Sequence, residues 1–410
     1  MASVAKCAAT SFRDRVNTQE GLVDRAIFSE DEVYRVELDK IFARAWLFMC
    51  HASQLPEKGD FFQSFMGEER VIVTRSRSGE FEVLLNACRH RGALVCRANA
   101  GNAPSFTCAY HGWTYDLSGN LIGVPGLTDL YEKSLDRDAW GLRKAAQVSS
   151  YRGFIFATLD PEAPPLDEFL GEAGKAMIDK LADYGDVEVV PGIIRHRLKA
   201  NWKIGVENDQ DYYHVGISHA SLLDAYGMSR SEVHTRYWQN NEGPSVMGEY
   251  GHTTDLMTGH YHATIFPHMS MLTDLLQVVI VRHPKGPREM EMWYFTFVDK
   301  NASAEDRKMA IDRNNSRLGP TGMVEQDDGE NWEFCTIGAN SHAMRDVPFN
   351  YQMGLGAGTT GDSGEVGYPL YTGPRTTEEY ARWRLKCWAE WMDADSWPDL
   401  QAHHSKPGAK

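Results

Sequence analysis

The chain has 410 residues, a formal net charge of −15, and 42% hydrophobic and 24% charged residues. This is an ordinary globular balance with length for two domains, and no low-complexity tract or internal repeat interrupts it. The acidic excess disfavours nucleic acid, whose phosphates are bound by clustered cations. No apolar run reaches the roughly eighteen residues of a membrane span and no signal-type apolar segment opens the chain, so a cytoplasmic, non-membrane protein is expected. The seven cysteines are odd in number and mostly isolated, which points to metal ligation rather than a disulfide framework.

In chain order, Ser29-Glu30-Asp31-Glu32 reads as a capping box, and the apolar spacing of EVYRVELDKIFARAW predicts a helix before residue 46. From about 60 to 158 the texture becomes β-like. DFFQSF, RVIVTRS, FEVLLNA, SFTCAYHGWTYDL and GFIFATL are separated by Gly, Asn, Pro and Ser, as in a small antiparallel domain. DPEAPPL at 160–166 reads as a linker. Beyond it, EVVPGIIRHRLKANW, HATIFPHMSML, LLQVVIVRH and EMWYFTFVD predict a broad antiparallel sheet, with helices around 205–226, 303–316 and 375–393. Ser303-Ala304-Glu305-Asp306 marks one helix start.

Within the β region, CRHRGALVCRANAGNAPSFTCAYHGW places Cys88 and His90, then, after 17 residues, Cys108 and His111. A zinc finger pairs cysteines with cysteines and histidines with histidines, all on one ion. Here each loop supplies one thiolate and one imidazole, which suits a two-iron cluster with both Cys on one iron and both His on the other. Gly92 and Gly112 follow the ligand pairs, where a missing Cβ lets backbone N–H groups approach bridging sulfides. Tyr110, Trp113 and Tyr115 are placed to shield the cluster, while Cys96 fits no ligand slot and reads as a buried thiol. The pattern C-x-H-x17-C-x2-H-G-W resembles the Rieske [2Fe–2S] family. A structural zinc site is the alternative.

NWKIGVENDQDYYHVGISHASLL, Asn201–Leu223, contains Asp211, His214 and His219. Two imidazoles and a distant carboxylate make the facial triad of non-haem Fe(II) oxygenases, which leaves positions open for O2 and substrate. On a straight helix, residues five apart differ by about 140° in azimuth, so the two His need a distortion to converge, and Gly216 offers one. Asp211 shares a face with His214 and suits hydrogen bonding to its ring.

This stretch resembles the α subunits of Rieske non-haem iron aromatic-ring-hydroxylating oxygenases, in their naphthalene- and biphenyl-type branch, whose motif runs N-W-K, E-N, D-x2-H-x4-H. The resemblance spans roughly 30 to 395 and includes NYQMGLG at 350–356. It implies that His214 and His219 hold a mononuclear Fe(II), and that Asp211 bridges to a cluster His of a neighbouring subunit. GPTGMVEQDDGENWE, 319–333, resembles the segment whose second Asp binds iron, hence Asp328, with Asp327 as the alternative. Only Asp209 and Gln210 separate Asn208 from Asp211, one residue fewer than in some relatives, which leaves the roles of Asn208 and Asp209 open.

The fold implied is α+β: an all-β Rieske domain (40–158) inserted in a catalytic domain (159–410) with a large antiparallel sheet covered by helices, and residues 1–39 packing on the latter. The activity implied is that of a terminal oxygenase. A ferredoxin or reductase draws electrons from NAD(P)H, and O2 and an aromatic ring become a cis-dihydrodiol. A head-to-tail homotrimer follows, commonly as α3β3 with a small β subunit, with His111 of one chain meeting Asp211 of the next. Arg89, Arg91 and Arg97 flank the cluster ligands and form either a ferredoxin-docking patch or plain loop surface.

For the substrate, 206–229, 237–281 and 318–344 contain no Arg or Lys to pair with a carboxylate. They offer Val206, Asn208, Met257, Phe266, Met269, Met271, Leu272, Met323 and Val324, a lining for a neutral polycyclic or biaryl hydrocarbon. His262 or His268 would be the route to a carboxylated substrate. The competing readings are a Rieske monooxygenase or demethylase and a non-catalytic electron carrier.

Overall fold

The computed structural model describes residues 11–235, 242–255, 261–273, 276–319, 322–362, 369–374 and 376–406. Phe42–Leu166 fold as one unit, and the chain on either side of them folds as a second.

The first unit is built of short antiparallel strands. Phe81–Leu85, Glu69–Arg75, Asp60–Met66 and Ala100–Asn102 form one sheet in that order; Leu121–Gly123, Thr114–Tyr115 and Phe106–Thr107 form a second; Gln147–Tyr151, Phe154–Thr158 and Leu47–His51 form a third. LFMCH and FIFAT are apolar without alternation, and every residue of both strands is buried, as a strand covered on both faces requires. DPEAPPL belongs to this unit rather than hanging free between domains. Trp46 Nε1 donates to the Pro164 carbonyl at 2.8 Å, and Arg44 Nε lies 3.7 Å from Asp160. The break falls at Leu166, where the next helix, Leu166–Ala182, begins.

In the second unit a ten-stranded antiparallel sheet runs Val187–Val189, Met290–Asp299, Val278–Pro284, Met269–Thr273, Tyr261–Ile265, Thr253–Asp255, Glu242–Met247, Pro369–Pro374, Thr359–Asp362, with Ile194–Leu198 pairing the other half of Met290–Asp299. Helix Trp202–Glu207 lies against strand Val278–Pro284 and against helix Glu325–Ala339. Close approach is possible because Gly205 faces the sheet; a Cβ there would meet Met290 Cε at 2.8 Å.

The N-W-K motif is anchored on the first helix of this unit. Asn201 caps Trp202–Glu207 by accepting from Lys203 N, and its Nδ2 donates to the Pro287 carbonyl at 2.7 Å. The fully buried Glu37 accepts from Trp202 Nε1 at 2.9 Å and from Trp388 Nε1 at 2.8 Å, and pairs with Lys203. A buried carboxylate is tolerated there because both oxygens are satisfied. Glu37 ends helix Asp31–Glu37, which starts after Glu30 with no side-chain cap, so the box expected at Ser29 and Glu32 does not form. The cap expected at Ser303 does form, accepting from Asp306 N at the start of Ala304–Leu318. Among the described residues no helix is long and apolar enough to cross a membrane.

Candidate metal centres

Both Cys/His loops close in the same way. Cys88 N donates to the Ala93 carbonyl and Gly92 N to the Cys88 carbonyl, each at 2.8 Å; Cys108 N donates to the Trp113 carbonyl at 2.8 Å and Gly112 N to the Cys108 carbonyl at 2.9 Å. Each loop turns through a glycine in the left-handed region, Gly92 at φ +75° and Gly112 at φ +73°. The glycines are therefore needed for the turn, and their N–H groups are spent on cysteine carbonyls rather than aimed at sulfides. Because His90 is the third and His111 the fourth residue of otherwise matched loops, the two imidazoles leave their loops at different points. Their rings stand 4.5 Å apart, between centroids.

Aromatic side chains enclose this end of the unit. Trp113 stacks on His90 with centroids 5.2 Å apart and planes 7° off parallel, and Tyr110 lies over His111 at 3.7 Å. Cys88 and Cys108 sit in the hydrophobic core with Phe61, Leu84, Phe106 and Tyr115. Tyr115 Oη accepts from Arg89 N at 3.1 Å and lies 3.3 Å from Cys88 Sγ, so its own proton is available to the sulfur. Burial, then the Cys88 contact, pushes the Tyr115 phenol up, which keeps that proton in place. Cys96 is buried beside Gln63, as its lack of a ligand slot implied. Arg89 is committed locally, over Trp140 at 5.5 Å and donating to the Gly141 carbonyl, while Arg91 and Arg97 are exposed.

The second constellation converges on a point. His214 Nε2 is 3.4 Å from Asp328 Oδ1, and His219 Nε2 is 3.4 Å from Asp328 Oδ2. Among the described residues, only this trio and Cys387–Glu390–His404 bring three candidate donors within 4.8 Å of one another. The chain achieves this by breaking its helix. Tyr212–His214 is a 3₁₀ turn, Val215–Ser218 a single α turn, and His219, at φ −99° and ψ 28°, ends it before Ala220–Ala225. The required distortion is thus present, but at His219 rather than Gly216. Asp328 comes from the first turn of helix Glu325–Ala339.

The outer nitrogens fix the tautomers. His214 Nδ1 donates to the Asp211 main-chain carbonyl, with the Asp211 carboxylate at 3.7 Å, and His219 Nδ1 faces Asp327 Oδ2 at 3.2 Å. Both Nε2 lone pairs are thereby turned toward Asp328. Asp327 supports a ring, and Asp328 faces the gap. Burial disfavours the charged form of both histidines, yet the surrounding carboxylates overcome it and raise both. Asp328 Oδ1 is buried with no hydrogen-bond partner. A buried carboxylate left open between two oriented imidazoles fits a divalent cation.

Neighbouring polar groups acquire definite partners. Asp209 Oδ1 accepts from Arg282 Nη2 at 2.8 Å, Arg282 Nη1 donates to Ser270 Oγ at 2.7 Å, and Asn208 Nδ2 lies 3.5 Å from His214 Nε2. His262 Nδ1 is held by the Asp209 carbonyl at 2.7 Å, and His268 is buried in the turn between Tyr261–Ile265 and Met269–Thr273. Of the expected pocket lining, Val206 and Phe266 are core residues beside a crevice of ≈ 20 Å³, with Phe266 stacked on Trp391 at 5.6 Å. Met269 and Met271 are buried within their strand and Leu272 is half-buried. Met323 is exposed and Val324 caps the Asp328 helix. Met257 lies outside the described residues.

A cavity of ≈ 480 Å³ opens instead on the Asp211 side of His214, lined by Glu207, Asp211, Tyr213, Tyr351, Glu378 and Arg384 among others. Asn208, singled out in the sequence as pocket lining, and His214 line it as well as Asp211. The E-N pair flagged the position of Glu207 and NYQMGLG spans Tyr351, whereas nothing local marked Arg384, more than a hundred residues beyond Glu207.

Residues 45–136 match the family described as Rieske [2Fe-2S] domain, and residues 178–357 match ring hydroxylating alpha subunit (catalytic domain). The biphenyl 2,3-dioxygenase α subunit of Rhodococcus jostii RHA1 is 36% identical, over 97% of this chain and 94% of its own length. The chain belongs to the ring-hydroxylating dioxygenase α subunits. The benzene 1,2-dioxygenase α subunit of Pseudomonas putida is 34% identical over 94% of each. Among solved structures, a naphthalene 1,2-dioxygenase variant bound to phenanthrene superposes with TM-score 0.87 at 28% identity, covering 95% of this chain and 96% of that one. The naphthalene 1,2-dioxygenase of a Rhodococcus species, bound to indole, gives 0.85 at 30%, covering 96% and 100%. As an α subunit of this family, the chain is an aromatic-ring-hydroxylating oxygenase component. It carries a Rieske [2Fe–2S] cluster and a mononuclear iron, and uses O2 and reductase-supplied electrons.

Proposed function

We propose that Cys88, Cys108, His90 and His111 hold the cluster, that His214, His219 and Asp328 hold the iron, and that the enzyme converts a neutral polycyclic or biaryl hydrocarbon to a cis-dihydrodiol. The observation that carries the reading is the pair of tautomer-fixed Nε2 atoms facing the two oxygens of one buried carboxylate, whose Oδ1 has no hydrogen-bond partner. When bound, the cluster supplies single electrons and the iron supplies O2 activation beside the ring.

The remaining work falls to the protein. Asp211 and Asp327 hold the two imidazoles in their ligating tautomers, and the Asp209–Arg282 pair braces the segment from the sheet side. Neutral substrates are favoured because two buried guanidiniums are already engaged: Arg282 by Asp209 and Ser270, Arg384 by Gln210 Oε1 and the Glu207 carbonyl. Relatives named for biphenyl, benzene and naphthalene agree in acting on uncharged rings.

Electrons pass between chains in this reading. In a head-to-tail α trimer, with or without a β subunit, His111 of one chain meets Asp211 of the next. Asp211 Oδ1 is buried with no hydrogen-bond partner, and His111 is half-buried. Turnover with biphenyl, naphthalene and benzoate under ¹⁸O2 tests the proposal. Diols of the two hydrocarbons carrying both labelled atoms are expected; labelled product from benzoate alone, or a single inserted atom, would overturn it.

A further inference from the structure

Adjacent strands of the large sheet send polar side chains toward both halves of the His214 site. Ser270 stands opposite Ile280, Ile280 stands opposite Tyr294, and Arg282 lies two residues beyond Ile280 on its own strand. Residues opposite one another across an antiparallel ladder share a face, as do residues two apart along a strand, so Ser270, Arg282 and Tyr294 project together. Arg282 Nη2 donates to Asp209 Oδ1 at 2.8 Å, in the segment that leads to His214. Tyr294 Oη donates to Glu325 Oε1, in the helix that carries Asp328. Arg282 favours the Glu325 carboxylate and Asp209 opposes it, so the two contacts lie within electrostatic reach of each other. Arg282, Tyr294 and Glu325 are all buried within this one chain.

We propose that Tyr294 is a positioning residue for the iron site: its hydrogen bond to Glu325 sets the first turn of helix Glu325–Ala339 so that the two oxygens of Asp328 face the two imidazoles. Tyr294 thereby does for the carboxylate side what Arg282, through Asp209, does for the histidine side. The inference rests on the reading of His214, His219 and Asp328 as the iron ligands.

The first turn of this helix needs such a tether. Val324 stands at its N-cap and makes no side-chain cap, and Asp328 N reaches the Val324 carbonyl only at 3.4 Å. An uncapped start leaves backbone N–H groups unsatisfied and frays, so Asp328 sits in the least secure turn of its helix. Glu325 lies three residues before Asp328 and shares its helix face, so fixing one side chain fixes the direction of the other. The anchor is firm, because strand Met290–Asp299 is paired along both edges, with Val278–Pro284 on one side and with Val187–Val189 and Ile194–Leu198 on the other. Each Asp328 oxygen lies 3.4 Å from a different Nε2, an arrangement that a small rotation of the turn would spoil. Replacing the phenol by a phenyl ring would leave the buried Glu325 without this donor and give it cause to turn away.

The test is competition of the holoenzyme with an Fe(II) chelator, read together with the EPR signal of the nitric oxide adduct of the mononuclear iron. That signal reports ligand geometry, which a loss of fold stability alone does not move. Y294F and E325L should each weaken iron binding about tenfold or more and alter the adduct signal, with the Rieske signal unchanged. E325Q, whose Oε1 still accepts from Tyr294, should keep wild-type affinity and signal. Wild-type affinity and signal in Y294F overturn the inference, even where its melting temperature falls, and so does an E325Q protein that behaves as E325L. Asp328→Ala separates the two readings. Mononuclear iron retained in that variant sinks the ligand assignment, whereas iron lost there with Y294F at wild type sinks only the role of Tyr294.

Discussion

The cluster loops and the His214 site gather their proposed ligands over very different lengths of chain. In the loops each Cys/His pair is fixed by a five- or six-residue turn, closed by the same two backbone hydrogen bonds and the same left-handed glycine. In the other site, two histidines on a broken helix must meet a carboxylate 109 residues beyond His219, counted from 219 to 328. That meeting depends on a sheet, on Gly205 and on the packing of two helices. Local closure makes the first site part of its domain's core, and long-range closure makes the second a site set upon a fold that stands without it. Removing ligands should therefore have structural consequences in one and chemical consequences in the other.

The largest effect is expected at Cys108, which lies in the hydrophobic core of its unit. Cys108→Ser should abolish the visible cluster absorbance and lower the melting temperature of the Rieske unit, because metal-binding energy there is folding energy. Calorimetry of the holoenzyme checks this, and an unchanged melting profile would erase the contrast. Next is Asp327→Ala. Loss of the group on His219 Nδ1 should weaken iron binding about 10- to 100-fold with the cluster untouched, as read by competition with a chelator.

Tyr115→Phe should lower the cluster potential without loss of cluster. It removes a hydrogen bond that stabilises the more negative, reduced sulfur, and redox titration followed by EPR reads it. The smallest effects sort the glycines. Gly92→Ala meets nothing within 4 Å and should cost only the conformational penalty, about 1–2 kcal/mol, whereas Gly112→Ala also meets Pro125 Cγ at 3.0 Å and should cost more. Denaturant melts of the two variants decide the order.

The same contrast governs how much was legible in the sequence. Cys88, His90, Cys108 and His111 stood out because each short turn pairs a Cys with a His, and the structure brings the His90 and His111 rings together. The sheet-rich character of both units was readable from apolar runs, and the Ser303 cap from its four residues. What failed depended on distant partners. DPEAPPL read as a linker until Trp46 and Arg44 were seen to bind it, and the Ser29 box lost to a helix that starts after Glu30. Gly216 attracted the expected bend because glycine permits one, but the break sits where His219 must turn inward. Phe266, Met269 and Met271 looked like a pocket because apolar residues near an expected metal cannot be told from core by composition. Arg384 gave no signal, since its meaning lies in a cavity assembled from four separate segments.

The central claim is that Asp328 completes an iron site distinct from the cluster. Iron and acid-labile sulfide analysis of Asp328→Ala, paired with EPR of the dithionite-reduced protein, tests it most directly. Wild type should hold about three irons and about two sulfides per chain with a low-average-g Rieske signal. The variant should lose the mononuclear iron alone, with sulfide and signal unchanged. Full iron content in Asp328→Ala would contradict the account.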